Sequence, residues 1–218
     1  PAYEHTLAPQ LLSRARLLFI AEFAERFSDR IAAESPGLAD DAGHCPFWAA
    51  VGQRFFGMDY PAAEQLTGGR SKAFIAELMP QSPIYVSLLP DDAQWAIGQL
   101  HPVAELPFSI LLDEGFDAET YVDIFDGGPT ADARVAMLKT VAASRHAMCA
   151  ARDAGSSPWC LAASARREGF RAVMARGDAQ AQELRLGAEA LTQLQLQPGQ
   201  RLRWAPLPVA AADARSGA

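Results

Sequence analysis

The sequence contains little cysteine, no long apolar run and no excess of positive charge. Its three cysteines are odd in number and have no CxxC spacing, which argues against a disulfide framework and against a zinc site. No apolar stretch has the length of a membrane-spanning helix, and the chain does not open with a signal peptide. The formal net charge of −7 disfavours nucleic acid as a main partner, because phosphate binding requires a basic surface. We therefore predict a cytoplasmic protein that binds neither nucleic acid nor membranes.

Helical and extended patterns are mixed along a chain that is rich enough in apolar residues to bury a core. Half of the 218 residues are hydrophobic, and this length suits one large domain or two small ones. Apolar periodicity predicts helices over residues 11–27, 46–56, 59–66, 71–79, 108–114 and 188–194, with another that begins at residue 90. Strands are predicted over residues 30–34, 83–88, 120–125, 147–150, 159–163, 170–175 and 201–204. The fold class is therefore α/β.

The character of the chain changes near Ser144. Before this residue helices predominate, and after it short strands are separated by Gly, Ser and Asp. We predict an α/β part over residues 1–144, a small β-rich domain over residues 145–206 and a frayed Ala-rich tail over residues 207–218.

One tight turn and one histidine are candidates for a functional site. The predicted strand at residues 120–125 runs into Asp126, Gly127 and Gly128, where glycines supply unusual backbone angles. Asp123 and Asp126 either belong only to this turn or place a carboxylate where it receives a cationic substrate. They are too few for a metal site. Pro102 keeps the preceding His101 out of the helical region, and from the residues alone a structural role for His101 is the simpler interpretation.

Three segments carry a resemblance to a known family. They are Lys72-Ala-Phe-Ile-Ala-Glu-Leu-Met-Pro80 with the following Pro83-Ile-Tyr-Val-Ser-Leu-Leu-Pro90, then Gly98-Gln-Leu-His-Pro102, and then Tyr121-Val-Asp-Ile-Phe-Asp-Gly-Gly-Pro-Thr130. In order and spacing they match the signature of arginine N-succinyltransferases. The chain resembles this family from about Leu11 to its C-terminal region, and most closely the α-chain type of bacteria with two paralogous subunits.

The resemblance implies a fold, an activity and partners. The α/β part would be a GNAT-like acyl-CoA N-acyltransferase domain, and we expect this chain to lack the N-terminal half of that domain. The activity would transfer a succinyl group from succinyl-CoA to the α-amine of arginine or ornithine, without a metal, in arginine catabolism. The assembly would be a homo-oligomer or a heteromer with a paralogous β chain.

The resemblance also implies roles for individual residues. In the family, the histidine of the Gln-x-His-Pro motif is the assigned proton donor, and His101 occupies that position. An imidazole suits a step in which an amine loses a proton and a thiolate gains one. Asp123, Asp126 and Glu77 are then candidates to pair with the cationic substrate, although a carboxylate placed like that of Glu77 usually belongs only to a helix surface.

The start of the first helix departs from the pattern of the single-chain enzymes. Where those enzymes have glycines that approach the CoA pyrophosphate, this chain has Leu7, Ala8 and Pro9. Arg14 and Arg16, on the polar face of the first helix, are candidates for phosphate contacts, and solvated arginines are the alternative. Two other functions stay open: a non-catalytic partner subunit of a glycine-loop paralogue, and an acyltransferase with another amine acceptor.

Overall fold

The computed structural model describes residues 6–67, 77–152, 154–180 and 182–207, with the side chains of residues 64 and 67 excepted. The helices are α1 Ala8–Glu22, α2 Pro46–Ala50, α3 Gly52–Phe56, α4 Tyr60–Thr67, α5 Asp91–Ala96, α6 Glu105–Glu114, α7 Lys139–Ala143 and α8 Ala188–Leu194. The strands are β1 Arg30–Glu34, β2 Asp117–Val122, β3 Pro129–Arg134, β4 Arg145–Ala151, β5 Trp159–Ser164, β6 Ala172–Gln180, β7 Glu183–Leu186 and β8 Arg201–Pro206. The protein is thus α/β, with a β-rich C-terminal part.

The chain forms two compact units, each assembled from separate stretches of sequence. The first contains Pro1–Ile31, Asp113–Gly115 and Ala133–Ala218, and the second contains Ala32–Leu112 and Phe116–Asp132. The predicted division at residue 144 stays a prediction. Of the described helices, none combines the length and the apolarity that a membrane crossing requires.

A closed five-stranded barrel forms most of the first unit. The strand order is β4-β7-β6-β5-β8, and β8 pairs with both β5 and β4 to close the barrel. β4 and β7 are parallel, whereas the other four pairs are antiparallel. Helix α1 packs on the outside, where its buried Leu18 contacts Leu161, Ala163 and Ala205 of the barrel. Successive side chains of a strand point to opposite faces of the sheet, so one set fills the interior of the barrel while the other set packs against α1.

An aromatic core lies in the second unit. Trp48 is almost fully buried, stacks on Phe125 with 5.5 Å between ring centroids, and donates its indole N–H to the carbonyl oxygen of Met58. Cys45 caps α2, because its Sγ accepts the N–H of Trp48. Pro46 occupies the first turn of α2, as its missing N–H predicts.

A three-stranded sheet has the order β1-β3-β2. β2 and β3 are antiparallel, and their register shifts between Asp117 and Tyr121. The connection from β2 to β3 is the turn at residues 123–128, which the sequence motif contains.

Many predicted elements are confirmed. The bounds of β1 and α8 agree with the predicted ranges, and α5 begins directly after Pro90 with two acidic residues in its first turn. β4, β5, β6 and β8 all overlap their predicted strands.

Other predictions are wrong. Residues 83–88 do not form a strand: Val86–Leu88 is a 3-10 turn, and Ile84, Tyr85 and Leu88 are exposed. The Ile, Tyr and Val content favours a strand only where a sheet surface is present to pack against. The predicted helix over residues 46–56 is interrupted at Val51, and the strand predicted over 120–125 lies instead at Asp117–Val122.

Four more differences concern burial and missed elements. The apolar content of residues 30–34 favours a buried strand, but the residues of β1 alternate between exposed and half-buried. The short elements β3, β7 and α7 were not predicted. Of the helix predicted over residues 71–79, only 77–78 lie among the described residues and are helical, and the predicted tail beyond residue 207 lies outside them.

A buried ion-pair network holds α1 to the end of α6. Arg14 is 1% exposed, and its Nε donates to Oε1 of Glu114 at 2.6 Å, while its Nη2 pairs with Asp113. Glu114 is fully buried and also accepts the N–H and the hydroxyl of Thr140 at 2.8 and 2.7 Å. The sequence predicted Arg14 on the solvent-facing side of α1, and this prediction is wrong. The side chain can be buried because two carboxylates compensate the loss of its hydration.

We expect Glu114→Gln to destabilise the protein by about 3 kcal/mol or more, because it leaves Arg14 buried without its main counter-charge. The matched control is Lys139→Gln, which removes an exposed partner of Asp113 and is expected to cost less than about 1 kcal/mol. Chemical denaturation followed by circular dichroism measures both changes. Equal losses in the two variants would contradict the assignment of the network to Arg14 and Glu114.

Glu22, at the end of α1, contacts two arginines and a histidine of the barrel. Its Oε2 accepts from Arg203 Nε at 2.8 Å and lies 2.6 Å from His146 Nε2, and its Oε1 lies 3.1 Å from Arg201. Burial acts to raise the pKa of the Glu22 carboxyl, but the hydrogen bonds from Arg203 and His146 outweigh it and hold this pKa below its ordinary value.

A lowered folded-state pKa means that Glu22 stabilises the fold above its unfolded pKa, about 4.3, and that this contribution is lost as the pH falls through the folded value. Glu22→Gln should therefore lower Tm at pH 7, and the difference from the parent protein should shrink below about pH 4. The control is Glu25→Gln, which removes an exposed carboxyl in the adjoining 3-10 turn. A Tm difference that does not change with pH would refute this role of Glu22.

Candidate active site

Three loop segments of the second unit meet around the carboxylate of Asp126. They are residues 35–37 after β1, residues 98–101 after α5 and residues 123–128 after β2, and together we name them the three-loop junction. The junction contains three residues that the sequence singled out, namely His101, Asp123 and Asp126.

Asp126 is a buried carboxylate with both oxygens hydrogen-bonded to backbone. Its Oδ2 accepts the N–H of Gly37 at 2.8 Å, and its Oδ1 accepts the N–H of Gly128 at 2.8 Å. The residue is 7% exposed. A carboxylate that accepts two buried amides forms a strong, charge-assisted link between the two segments that carry them.

The same two segments approach so closely that neither Gly37 nor Gly128 could be replaced by a residue with a side chain. A Cβ on Gly37 would lie 2.5 Å from the carbonyl oxygen of Asp126, and one on Gly128 would lie 2.3 Å from the carbonyl oxygen of Ser35. Gly127 has a φ of +70°, as predicted for the turn. Gly128 serves a different purpose from the predicted one, because close backbone contact and not an unusual angle requires it.

His101 is held by its backbone and by one ring nitrogen. Its N–H donates to the carbonyl oxygen of Pro36 at 2.9 Å, and its Nδ1 accepts the N–H of Val103 at 3.2 Å. The residue has an extended backbone, with φ −64° and ψ 137°, as Pro102 predicts, and it is half-buried. Since Nδ1 is an acceptor, the proton of the neutral ring lies on Nε2.

Asp123 shapes the turn from its other end. Its Oδ1 accepts the N–H of Phe125 at 2.8 Å, and its own N–H donates to the carbonyl oxygen of Gly128 at 2.8 Å. The side chain is half-buried, so it is more accessible than that of Asp126.

The remaining predicted residues lie elsewhere. Glu77 is exposed in the helical residues 77–78. Arg16 is exposed on α1 and donates from Nε to the carbonyl oxygen of Ser13 at 3.0 Å. Arg14 is buried in its ion-pair network, which disfavours the predicted contact with a phosphate.

Cys45 has the wrong properties for a nucleophile. Burial raises the pKa of its thiol, and the nearby charge of Asp126 adds to this effect. His44 beside it is exposed. Of the described residues, no group of three or more histidines, cysteines and carboxylates could hold a metal ion.

The start of α1 lies beside a largely apolar groove of the first unit. Its volume is about 500 Å³, and its described lining is Leu7, Ala8, Leu11, Trp159, Arg171, Ala172, Val173, Met174 and Gln193. The N–H of Ala8 donates to the hydroxyl of Thr6 at 3.2 Å, and Pro9 has no N–H to offer. The helix start therefore presents fewer backbone donors to an anion than a glycine loop would.

The junction also contains residues that the sequence did not indicate. Pro36 and Gly37 belong to a segment for which the sequence predicts neither a helix nor a strand, and their partners His101 and Asp126 are far away in the chain. A glycine after a strand was the only local signal.

Comparison with known proteins identifies the family. Residues 1–140 match the family model described as arginine N-succinyltransferase beta subunit, and residues 145–206 match the one described as the C-terminal domain of that subunit. The chain is 47% identical over 167 residues to the arginine N-succinyltransferase subunit alpha of Pseudomonas aeruginosa, which covers 76% of this chain and 49% of the relative. It is 42% identical over 195 residues to an arginine N-succinyltransferase of Escherichia coli, covering 88% of this chain and 57% of the relative.

A solved structure agrees with these sequence matches. It is the arginine/ornithine succinyltransferase subunit AI of Pseudomonas aeruginosa, which superposes with a TM-score of 0.77 at 39% identity and covers 90% of this chain and 57% of that one. The chain belongs to the arginine N-succinyltransferase family. It spans about half the length of the curated relatives that it matches.

Proposed function

We propose that the protein carrying this chain is an arginine N-succinyltransferase, which transfers the succinyl group of succinyl-CoA to the α-amine of arginine or ornithine. The family membership supports the reaction class. The observation that carries the proposal is the fixed imidazole of His101, because the Val103 N–H occupies Nδ1 and makes the Nε2–H the donor of the ring. The protein would act in arginine catabolism.

The proposed reaction is direct attack of the neutral α-amine on the thioester carbonyl. A C–N bond forms, the C–S bond breaks, the amine releases a proton, and the CoA thiolate takes one up. The Nε2–H of the neutral His101 ring donates a hydrogen bond to the sulfur as the C–S bond breaks, and the proton that the amine loses ends on this sulfur, so the ring stays neutral throughout. An imidazole N–H aimed at the leaving group stabilises the negative charge that develops on sulfur in the transition state.

Backbone donors and carboxylates supply the remaining roles in this proposal. The tetrahedral intermediate carries an oxyanion, which backbone N–H groups would stabilise. Asp123 is the better of the two junction carboxylates for pairing with a cationic substrate, since its side chain is the more accessible. Asp126 remains the second candidate, although its two oxygens already accept backbone amides. The exposed Glu77 is a third candidate.

Succinyl-CoA would bind as the acyl donor, and no metal is needed for this chemistry. Of the two arginines proposed for its phosphates, Arg16 is exposed and stays a candidate, whereas the burial of Arg14 weighs against it. We further propose a GNAT-like acyl-CoA N-acyltransferase domain of which this chain carries the C-terminal half, a cytoplasmic location, and a homo-oligomer or a heteromer with a paralogous β chain.

One observation favours a second candidate function, a partner subunit that stabilises a glycine-loop paralogue without catalysis of its own. The start of α1, at Leu7, Ala8 and Pro9, lacks the glycines and one of the N–H groups that a pyrophosphate site uses. The presence of His101 in its motif favours the catalytic proposal over this one.

We expect His101→Ala to lower arginine-dependent release of CoA from succinyl-CoA by about 10²- to 10⁴-fold, because general acid–base catalysis contributes factors of this size. The full-length gene product, purified alone, is the protein to assay. His44→Ala is the matched control, since it removes an exposed imidazole from the same unit.

Two other results would change the conclusion. Unaltered turnover in His101→Ala would overturn the catalytic role of His101. An inactive parent protein that gains activity only with the glycine-loop paralogue, whether or not His101 is present, would establish the partner-subunit function instead.

A further inference from the structure

We propose that Asp126 is a positioning residue for His101. Its hydrogen bonds to Gly37 and Gly128, which we name the Asp126 staple, link the two backbone segments that hold the histidine loop. This inference rests on the proposed catalytic role of His101. It assigns to Asp126 a role other than direct pairing with the substrate.

The loop at residues 98–101 is held at both of its ends. At one end, the N–H of Gly98 donates to the carbonyl oxygen of Gly127 at 2.8 Å. At the other end, the N–H of His101 donates to the carbonyl oxygen of Pro36 at 2.9 Å. The position of His101 therefore depends on two acceptors that belong to two different segments.

Asp126 fixes the distance between these two acceptors. Its Oδ2 binds the N–H of Gly37, the residue after Pro36, and its Oδ1 binds the N–H of Gly128, the residue after Gly127. Each acceptor of the histidine loop is thus bonded covalently to a residue that Asp126 holds. A shift in one segment relative to the other would pull on both ends of the loop.

The packing around this link leaves little freedom to rearrange. A Cβ on Gly37 would lie 2.6 Å from the nitrogen of Gly128, so the two segments are in direct backbone contact. Asp126 is buried, and water does not compete effectively for its two hydrogen bonds. The ring of His101 has one further restraint, the Val103 N–H on Nδ1, which depends on the same loop position.

An asparagine at position 126 tests the staple with a minimal change of shape. Its side chain offers one oxygen and one NH₂ group, so the amide of either Gly37 or Gly128 loses its acceptor and faces another donor. We expect Asp126→Asn to lower kcat on the order of tenfold to a hundredfold, since small misplacement of a catalytic group has effects of this size. KM for succinyl-CoA and for arginine should change less than twofold.

Asp40→Asn is the matched control. Asp40 lies in the same unit and also accepts two backbone amides, those of Ala42 and His44, but both bonds end on Oδ1. Asparagine retains that oxygen, so both bonds survive and kcat should remain that of the parent protein.

A second readout does not depend on catalysis. Hydrogen exchange, resolved by residue, should speed up at the amides of Gly98 and His101 in Asp126→Asn, because their acceptors move. The amide of Gln94, which donates to the carbonyl oxygen of Pro90 within α5, should keep its rate and serves as the internal reference. A residue that merely stabilised the unit would speed up all three amides together.

A second variant, Gly98→Ala, tests the position of the histidine loop if Asp126→Asn does not fold. Gly98 has a φ of +74° and no atom within 4 Å of an added Cβ, so Gly98→Ala strains the loop without a steric clash. Gly57 has a φ of +65°, equally open space and a place in the same unit, which makes Gly57→Ala its control. We expect Gly98→Ala to lower kcat several-fold more than Gly57→Ala.

The results separate this inference from the function on which it rests. If His101→Ala is inactive but neither Asp126→Asn nor Gly98→Ala differs from its control in kcat, the positioning role is overturned and the function stands. If His101→Ala is fully active, the catalytic role of His101 fails, and selective exchange at Gly98 and His101 in Asp126→Asn then still supports the structural link made by Asp126. Restoration of kcat to the parent value in Asp126→Glu, with slow exchange at both amides, would further support it.

Discussion

The carboxylate of Asp126 is the constraint on which the candidate site depends. It joins two backbone segments through charge-assisted hydrogen bonds to Gly37 and Gly128. Each segment then supplies one acceptor to the loop of His101. The glycines allow the close approach that brings the carboxylate within reach, and the carboxylate compensates the buried amides that this approach creates. Without the glycines the two segments could not approach the carboxylate, and without the carboxylate the two amides would be buried without an acceptor.

Buried charge has a second structural use in the first unit, with different chemistry. Arg14 is compensated by Glu114 and Asp113, whereas the hydrogen bonds that the described residues give to the Asp126 carboxylate come from two uncharged amides. An ion pair of this kind gains little over an apolar core, but it is costly to break from one side. In the sequence Arg14 and Asp126 look like ligand-binding groups, but in the structure both hold parts of the fold together.

The sequence predicted local structure well and long-range structure poorly. β1 and α8 have their predicted bounds because apolar periodicity and turn residues act within a few positions. The Asp126–Gly37 and Arg14–Glu114 contacts span 89 and 100 residues, and nothing near either residue indicates its partner. Family resemblance directed attention to His101 and the turn at residues 123–128, but it did not separate the accessible Asp123 from the buried Asp126.

The order of strands in the barrel has a consequence for biosynthesis. β8 is the last strand of the barrel in sequence, yet it lies between β4 and β5. Until residues 201–206 have left the ribosome, both of those strands present unpaired edges, and such edges are templates for association with other chains. The barrel of a nascent chain therefore stays open until β8 is made, and a frameshift upstream of the codons for residues 201–206 would release a product prone to aggregate.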